Sequence, residues 1–176
     1  MIKRVHLTVV LVGIALCLVW VGATRLASEG ATKDPFSGSW KMNPAKSTMF
    51  VGEQNQFEIT TFTIQNDVQQ YHVWSEGPKK GGHPEHHAAY TSKYNEAKWV
   101  PYADLATGKA TSLVMTVKVD DRTHYRLART PEGKAQYVLM RRLADDGQSY
   151  AATLMNTDGK ITLIRVFDKC AEPCKP

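Results

Sequence analysis

Apolar and polar positions alternate along much of this chain with a period of two, the spacing of strands that turn one face to a core and the other to solvent. The clearest case is Leu113, Met115, Val117 and Val119 interleaved with Val114, Thr116 and Lys118, which predicts a half-buried strand whose apolar face is the first set. Phe57 to Ile64 is rich in Thr, Ile and Phe and is expected to be extended, with Val68 to Ser75 returning after the turn signal Asn66-Asp67. In the second half Asp120-Asp121, Pro131-Glu-Gly-Lys134, Asp146-Gly147 and Asp158-Gly159 separate segments at Thr123 to Arg129, Gln136 to Leu143, Ser149 to Asn156 and Ile161 to Phe167. The Asp-Gly pairs mark tight hairpins, because glycine supplies the positive φ those turns need. Phe36 to Met42 reads as the first strand, interrupted by Asn43-Pro44, and Ala45 to Phe50 has room for one helical turn. No stretch after the leader keeps a helical period over three turns. An open up-and-down sheet leaves two unpaired edges, and closing it removes both. The expected fold is therefore all-β, an antiparallel up-and-down barrel of roughly eight to ten short strands, able to enclose side chains and one small ligand.

The first residues follow a different pattern. Met1-Ile-Lys-Arg4 is basic, Leu7 to Ala23 is apolar, and Val21-Gly-Ala23 offers the small residues of a signal-peptidase site. Residues 1–23 are expected to be a signal peptide, with an uncleaved membrane anchor as the alternative, and 24–33 a linker. The folded domain is placed at 34–169 and a tail at 170–176. Of 176 residues, 43% are hydrophobic and 22% charged, ordinary values for a globular domain. The formal charge of +5 falls to +3 once Lys3 and Arg4 are subtracted, and the basic residues form no block, which argues against nucleic-acid binding. Beyond the leader only Cys170 and Cys174 remain, and in an oxidising compartment such a pair is expected to form a disulfide stapling the tail. Together these place the protein outside the cytoplasm, in the periplasm or secreted, with membrane contact only through an uncleaved leader.

Two resemblances enter here. Asp34-Pro-Phe-Ser-Gly-Ser-Trp-Lys-Met-Asn-Pro-Ala-Lys-Ser47, Val117-Lys-Val-Asp-Asp121 and Asp158-Gly-Lys-Ile-Thr-Leu-Ile-Arg-Val-Phe-Asp-Lys169 resemble a group of small secreted bacterial proteins, a likeness that implies no activity. Gly38-x-Trp40 at the first strand and Arg165 on the last are similar to the lipocalin and fatty-acid-binding (calycin) superfamily. That resemblance implies that Trp40 packs against Arg165 where first and last strands meet, closing the barrel. It also implies a carboxylate anchor of the form Arg-x-Tyr near the C-terminus, from which Arg165-Val166-Phe167 departs by lacking the hydroxyl.

Candidate chemistry is sparse. His83-Pro-Glu-His-His87 gathers His83, His86 and His87 with Glu85 in a glycine- and proline-rich loop, a set that either binds a metal ion or is a solvated loop. On the parity that turns Tyr137, Leu139 and Leu143 inward, Arg141 points inward too and needs an acceptor such as a ligand carboxylate; the opposite parity leaves it in water. Tyr125, Tyr137 and Tyr150 fall on expected core faces and either line a pocket with Arg141 or pack as core. No nucleophile elbow or phosphate-cradling loop is present, so no catalytic residue and no cofactor are assigned. The reading is a binding protein for a small, partly apolar molecule. The alternatives are a solid barrel acting as an interaction module, or a metal-binding protein.

Overall fold

The structure, a computed structural model, describes residues 33–48, 57–76 and 86–176. Ten strands close into an antiparallel barrel: β1 (Gly38–Met42), β2 (Phe57–Gln65), β3 (Val68–Glu76), β4 (His86–Lys93), β5 (Val100–Asp104), β6 (Ala110–Asp120), β7 (Thr123–Arg129), β8 (Ala135–Leu143), β9 (Ser149–Asn156) and β10 (Ile161–Cys170). Each strand pairs with its neighbours in sequence, and β1 pairs with β10, so both edges vanish as expected. The expected leader and nearly all of the linker, with His83 and Glu85, lie outside the described residues.

Local turn chemistry sets the hairpins. Asn66 and Asp67 hold φ of 52° and 61°, the paired positive values of a two-residue turn, and Gln65 sits opposite Val68. The helical turn expected over Ala45 to Phe50 is a single 3-10 turn at Pro44–Lys46, capped by Asn43, whose side-chain oxygen accepts the Lys46 N–H at 3.2 Å.

Two corrections concern the middle of the chain. β4 and β5 arise where no strand was expected, because their alternating faces, Ala88, Tyr90 and Ser92 against His87, Ala89 and Thr91, are not separated by hydrophobicity. β5 tolerates Pro101 because its edge toward β4 is registered only at Ala88↔Asp104 and Ala89↔Ala103. Lower down, β4 bypasses β5: Asn95 N–H donates to the Thr116 carbonyl at 3.1 Å, and the buried Ser92 and Thr116 hydroxyls bond at 2.9 Å. The second correction is the face of β6. Ser112, Val114 and Thr116 are the buried set, and Val119 of the supposed core face is 62% exposed. The barrel interior here is more polar than its outside.

One end of the barrel is plugged. Asp34 Oδ1 accepts the Phe36 N–H at 3.0 Å, turning Phe36 into the barrel, where its ring lies 4.3 Å from His124, 6.0 Å from Phe62 and 5.8 Å from Tyr150. Trp40, fully buried, donates its indole N–H back to the Phe36 carbonyl at 2.9 Å. Tyr150 stacks on Phe167 with centroids 4.7 Å apart. Gly38, at φ +131°, makes the bend between plug and strand, a conformation that side chains bearing a Cβ rarely adopt.

Candidate functional site

Beyond this plug the inward-facing positions become charged. Arg126 on β7 and Arg141 on β8 are inward and buried, and Glu58 (β2), Arg165 (β10), Tyr71 (β3), Leu139 (β8) and Tyr150 (β9) join them around a cavity of about 60 Å3. The lining holds three guanidinium groups and one carboxylate, a formal charge of +2 by subtraction. Arg165 donates from Nη1 to Glu58 Oε2. Arg141 has its guanidinium 5.1 Å from the Phe62 centroid and 4.9 Å from that of Tyr71, and neither Nη1 nor Nη2 has a hydrogen-bond partner among the described residues. Arg126 lies 5.3 Å from the Tyr71 centroid, 5.9 Å from Tyr90, 5.1 Å from Tyr102 and 5.4 Å from Tyr137, with Nε and Nη1 unpartnered. Aromatic faces attract the cations without using their N–H donors, which leaves those donors for an anion. Burial pushes the Tyr71 hydroxyl up to about 12, the arginines pulling the other way, so the ring is a neutral wall of the cavity.

A second cavity of about 490 Å3 lies at the rim near the β7–β8 and β9–β10 turns, lined by Trp99, Leu127, Ala128, Arg129, Tyr137 and Val138 among others. Arg129 covers Trp99 at 4.3 Å from its centroid. Tyr137 lines this cavity and carries Arg126 of the smaller one over its ring, so this pair stands between the two spaces.

A hydrogen-bond chain runs from the arginine half to the plug. Tyr90 O–H donates to Gln69 Oε1 at 2.9 Å, Gln69 Nε2 donates to the Tyr94 oxygen at 2.5 Å, and the Tyr94 hydroxyl shares a hydrogen bond of 2.8 Å with His124 Nδ1. Burial pushes His124 down to about 4, with the Asp34 carboxylate opposing it and the Arg141 and Lys118 cations adding to it.

The expected site residues separate. Arg141, Tyr137 and Tyr150 point into the barrel, and Tyr150 shares a hydrogen bond of 2.7 Å with Thr60. Tyr125 does not join them: it alternates with the inward His124 and Arg126, and its hydroxyl meets the Met140 sulfur at 3.4 Å. The Trp40–Arg165 pairing is also corrected. Trp40 registers with Lys169, whose Nζ lies 5.3 Å from the indole centroid, whereas Arg165 is four residues along β10, about 13 Å away along the strand. Its partner is Glu58. Of the histidines, His86 turns inward toward Tyr102, centroids 6.2 Å apart, and His87 turns outward beside Trp74 at 5.4 Å. Neighbours on one strand face opposite sides, so these two do not converge on one ion. Cys170 and Cys174 are bonded, with Cα atoms 5.5 Å apart. Arg126 and Glu58 were not anticipated, since a charged residue at every second position reads as a solvated face.

No protein-family model and no curated protein matches this chain. Among solved structures it is similar to a Schistosoma mansoni fatty acid binding protein in complex with arachidonic acid, with a TM-score of 0.55 and 16% identity over 78% of this chain and 97% of that one. It is also similar to the fluorescent protein UnaG, with a TM-score of 0.50 and 12% identity over 77% and 97% of the two chains. The shared feature is the closed antiparallel barrel.

Proposed function

We propose that this barrel is an extracytoplasmic, non-enzymatic binding protein that holds a small, partly apolar anion, with its acidic group against Arg141 and Arg126. The observation that carries the reading is Arg141, 1% exposed, with both terminal nitrogens unpartnered beside a cavity of about 60 Å3. Buried donors left unsatisfied are costly, and a guanidinium offers them in a planar fork that fits a carboxylate. The small cavity takes the acidic group, and the apolar part extends past Tyr137 into the rim cavity, which Tyr137 and the inward Ala128 help to line. The likeness to a barrel complexed with arachidonic acid supports a ligand of that chemistry. The basic-then-apolar leader and the Cys170–Cys174 pair support export, as does the resemblance to small secreted bacterial proteins.

Titration with the anionic amphipathic dye anilinonaphthalene sulfonate tests this. Charge-assisted hydrogen bonds of about 1.5–3 kcal/mol predict that Arg141→Met weakens binding roughly tenfold or more. Equal affinity in Arg141→Met and Arg126→Met would remove the proposed anchor. Native mass spectrometry of the exported protein is expected to show an organic increment over the denatured mass.

A second reading, a filled barrel serving as an envelope interaction module, is favoured by a different observation. Met115, Leu127, Val138, Met155 and Ile161 stand abreast across β6 to β10, and Met155 and Ile161 are exposed. Native ions without an organic increment, together with dye binding indifferent to both arginines, would favour it.

A further inference from the structure

We infer that the outer face of β3 and β4 carries a divalent transition-metal site in which His72 and His87 supply two imidazole ligands and water completes the coordination. Tyr71, Val73 and Ala88 are buried in the interior, so His72 and His87 lie on the outside. The register pairs His72 with Ala89 and Trp74 with His87, which makes the two histidines diagonal neighbours on adjacent strands. Such diagonals are within reach of ring-bearing side chains. Their ring centroids are 6.2 Å apart at an interplanar angle of 65°. An ion about 2.0–2.1 Å from each imidazole nitrogen holds two ring centroids about 5–6 Å apart, a separation close to the one found here.

Both ligands stand on paired strands, which position a site better than a loop does. Among the described residues no group of three or more His, Cys, Asp or Glu side chains gathers around an ion. The site is therefore a two-nitrogen one with exchangeable positions, and imidazole donors together with the general order of divalent affinities favour Cu2+ over Zn2+. It differs from a His83–His87 loop site, because His86 faces the opposite side of the sheet.

Trp74, with its ring 5.4 Å from that of His87, provides the readout. Titrating the full chain with Cu2+ is expected to give saturable, chelator-reversible quenching of tryptophan fluorescence. Its midpoint should rise at least tenfold in His72→Asn and in His87→Asn and stay unchanged in His86→Asn. Quenching that survives His72→Asn overturns the site, and quenching lost in His86→Asn transfers it to the loop. Electron paramagnetic resonance of the unsubstituted protein tests it without a variant. Two imidazole nitrogens on one bound Cu2+ are expected, and one or none overturns the assignment.

Discussion

The two halves of the barrel interior are built on the same strands with the same parity, yet they are filled by opposite chemistry. At the plugged end Phe36, Trp40, Phe62, Tyr150 and Phe167 are all but fully buried and meet ring against ring, and the polar groups among them are hydrogen-bonded. Toward the other end Arg126, Arg141, Arg165 and Glu58 line a cavity, and several guanidinium N–H groups are left over. The difference separates two tasks. The aromatic half supplies the close packing that stabilises a closed sheet, where dispersion and apolar burial grow with contact. The arginine half contributes donors that folding alone does not use. Tyr150 and Phe167 border both regions, but Trp40 and Phe36 serve closure alone and the arginine N–H groups serve the anion, and substitutions should tell them apart.

The sharpest division is expected between Trp40 and Arg141. Trp40→Ala removes a fully buried indole together with its hydrogen bond to Phe36, so urea unfolding should show a loss of about 3–5 kcal/mol. Arg141→Met replaces a buried cation by an apolar chain of similar length and should leave stability unchanged or raise it by about 1 kcal/mol, while dye binding weakens. A large loss of stability in Arg141→Met would mean that the guanidinium is structural, and the two halves would no longer divide by task.

Next in size is the pH response of the plugged end. His124, fully buried against Phe36 and Tyr94, is held at about 4, whereas in the unfolded chain it titrates near 6.5. Above about pH 6.5 the ring is neutral in both states and the contribution is complete. As pH falls from about 6.5 toward 4 the unfolded chain takes up the proton first, and stability should drop by about 3 kcal/mol. Denaturant midpoints across this range check the slope, which should flatten in His124→Gln. An unchanged slope in that variant would assign the acid response elsewhere.

Legibility in the sequence followed the range of the interactions concerned. Hairpins at Asn66-Asp67, Asp146-Gly147 and Asp158-Gly159 were readable because turn chemistry is local, and the closed all-β barrel followed from them. The facing of β6 and β7 was not, because the usual rule of apolar inside fails where Ser112, Thr116, His124 and Arg126 take the interior. Tyr125 was misplaced for that reason, and Arg126 overlooked. On β8 the apolar Leu139 and Leu143 do face inward, which is why Arg141 could be named as an inward candidate. The partner of Trp40 depends on the β1–β10 register, a pairing across the length of the chain that no short motif encodes.

The smallest expected effects test whether the division extends to the bend of the plug and to the outer face of the barrel. Gly38→Ala adds a Cβ whose nearest neighbour is Lys169 Cε at 3.9 Å, so nothing clashes and the cost comes from the backbone at φ +131°. A residue forced into such a region loses about 1–3 kcal/mol, and urea unfolding should show that loss with dye affinity intact. Tyr125→Phe deletes only a hydroxyl contact to the Met140 sulfur on the outside of the barrel. Stability should change by no more than about 0.5 kcal/mol and dye affinity not at all. Tyr137→Ala provides the contrast on the neighbouring strand, since it removes both a wall of the rim cavity and a ring under Arg126. Dye affinity that falls in Tyr125→Phe but not in Tyr137→Ala would place the binding surface outside the barrel, and the charged interior would then need another explanation.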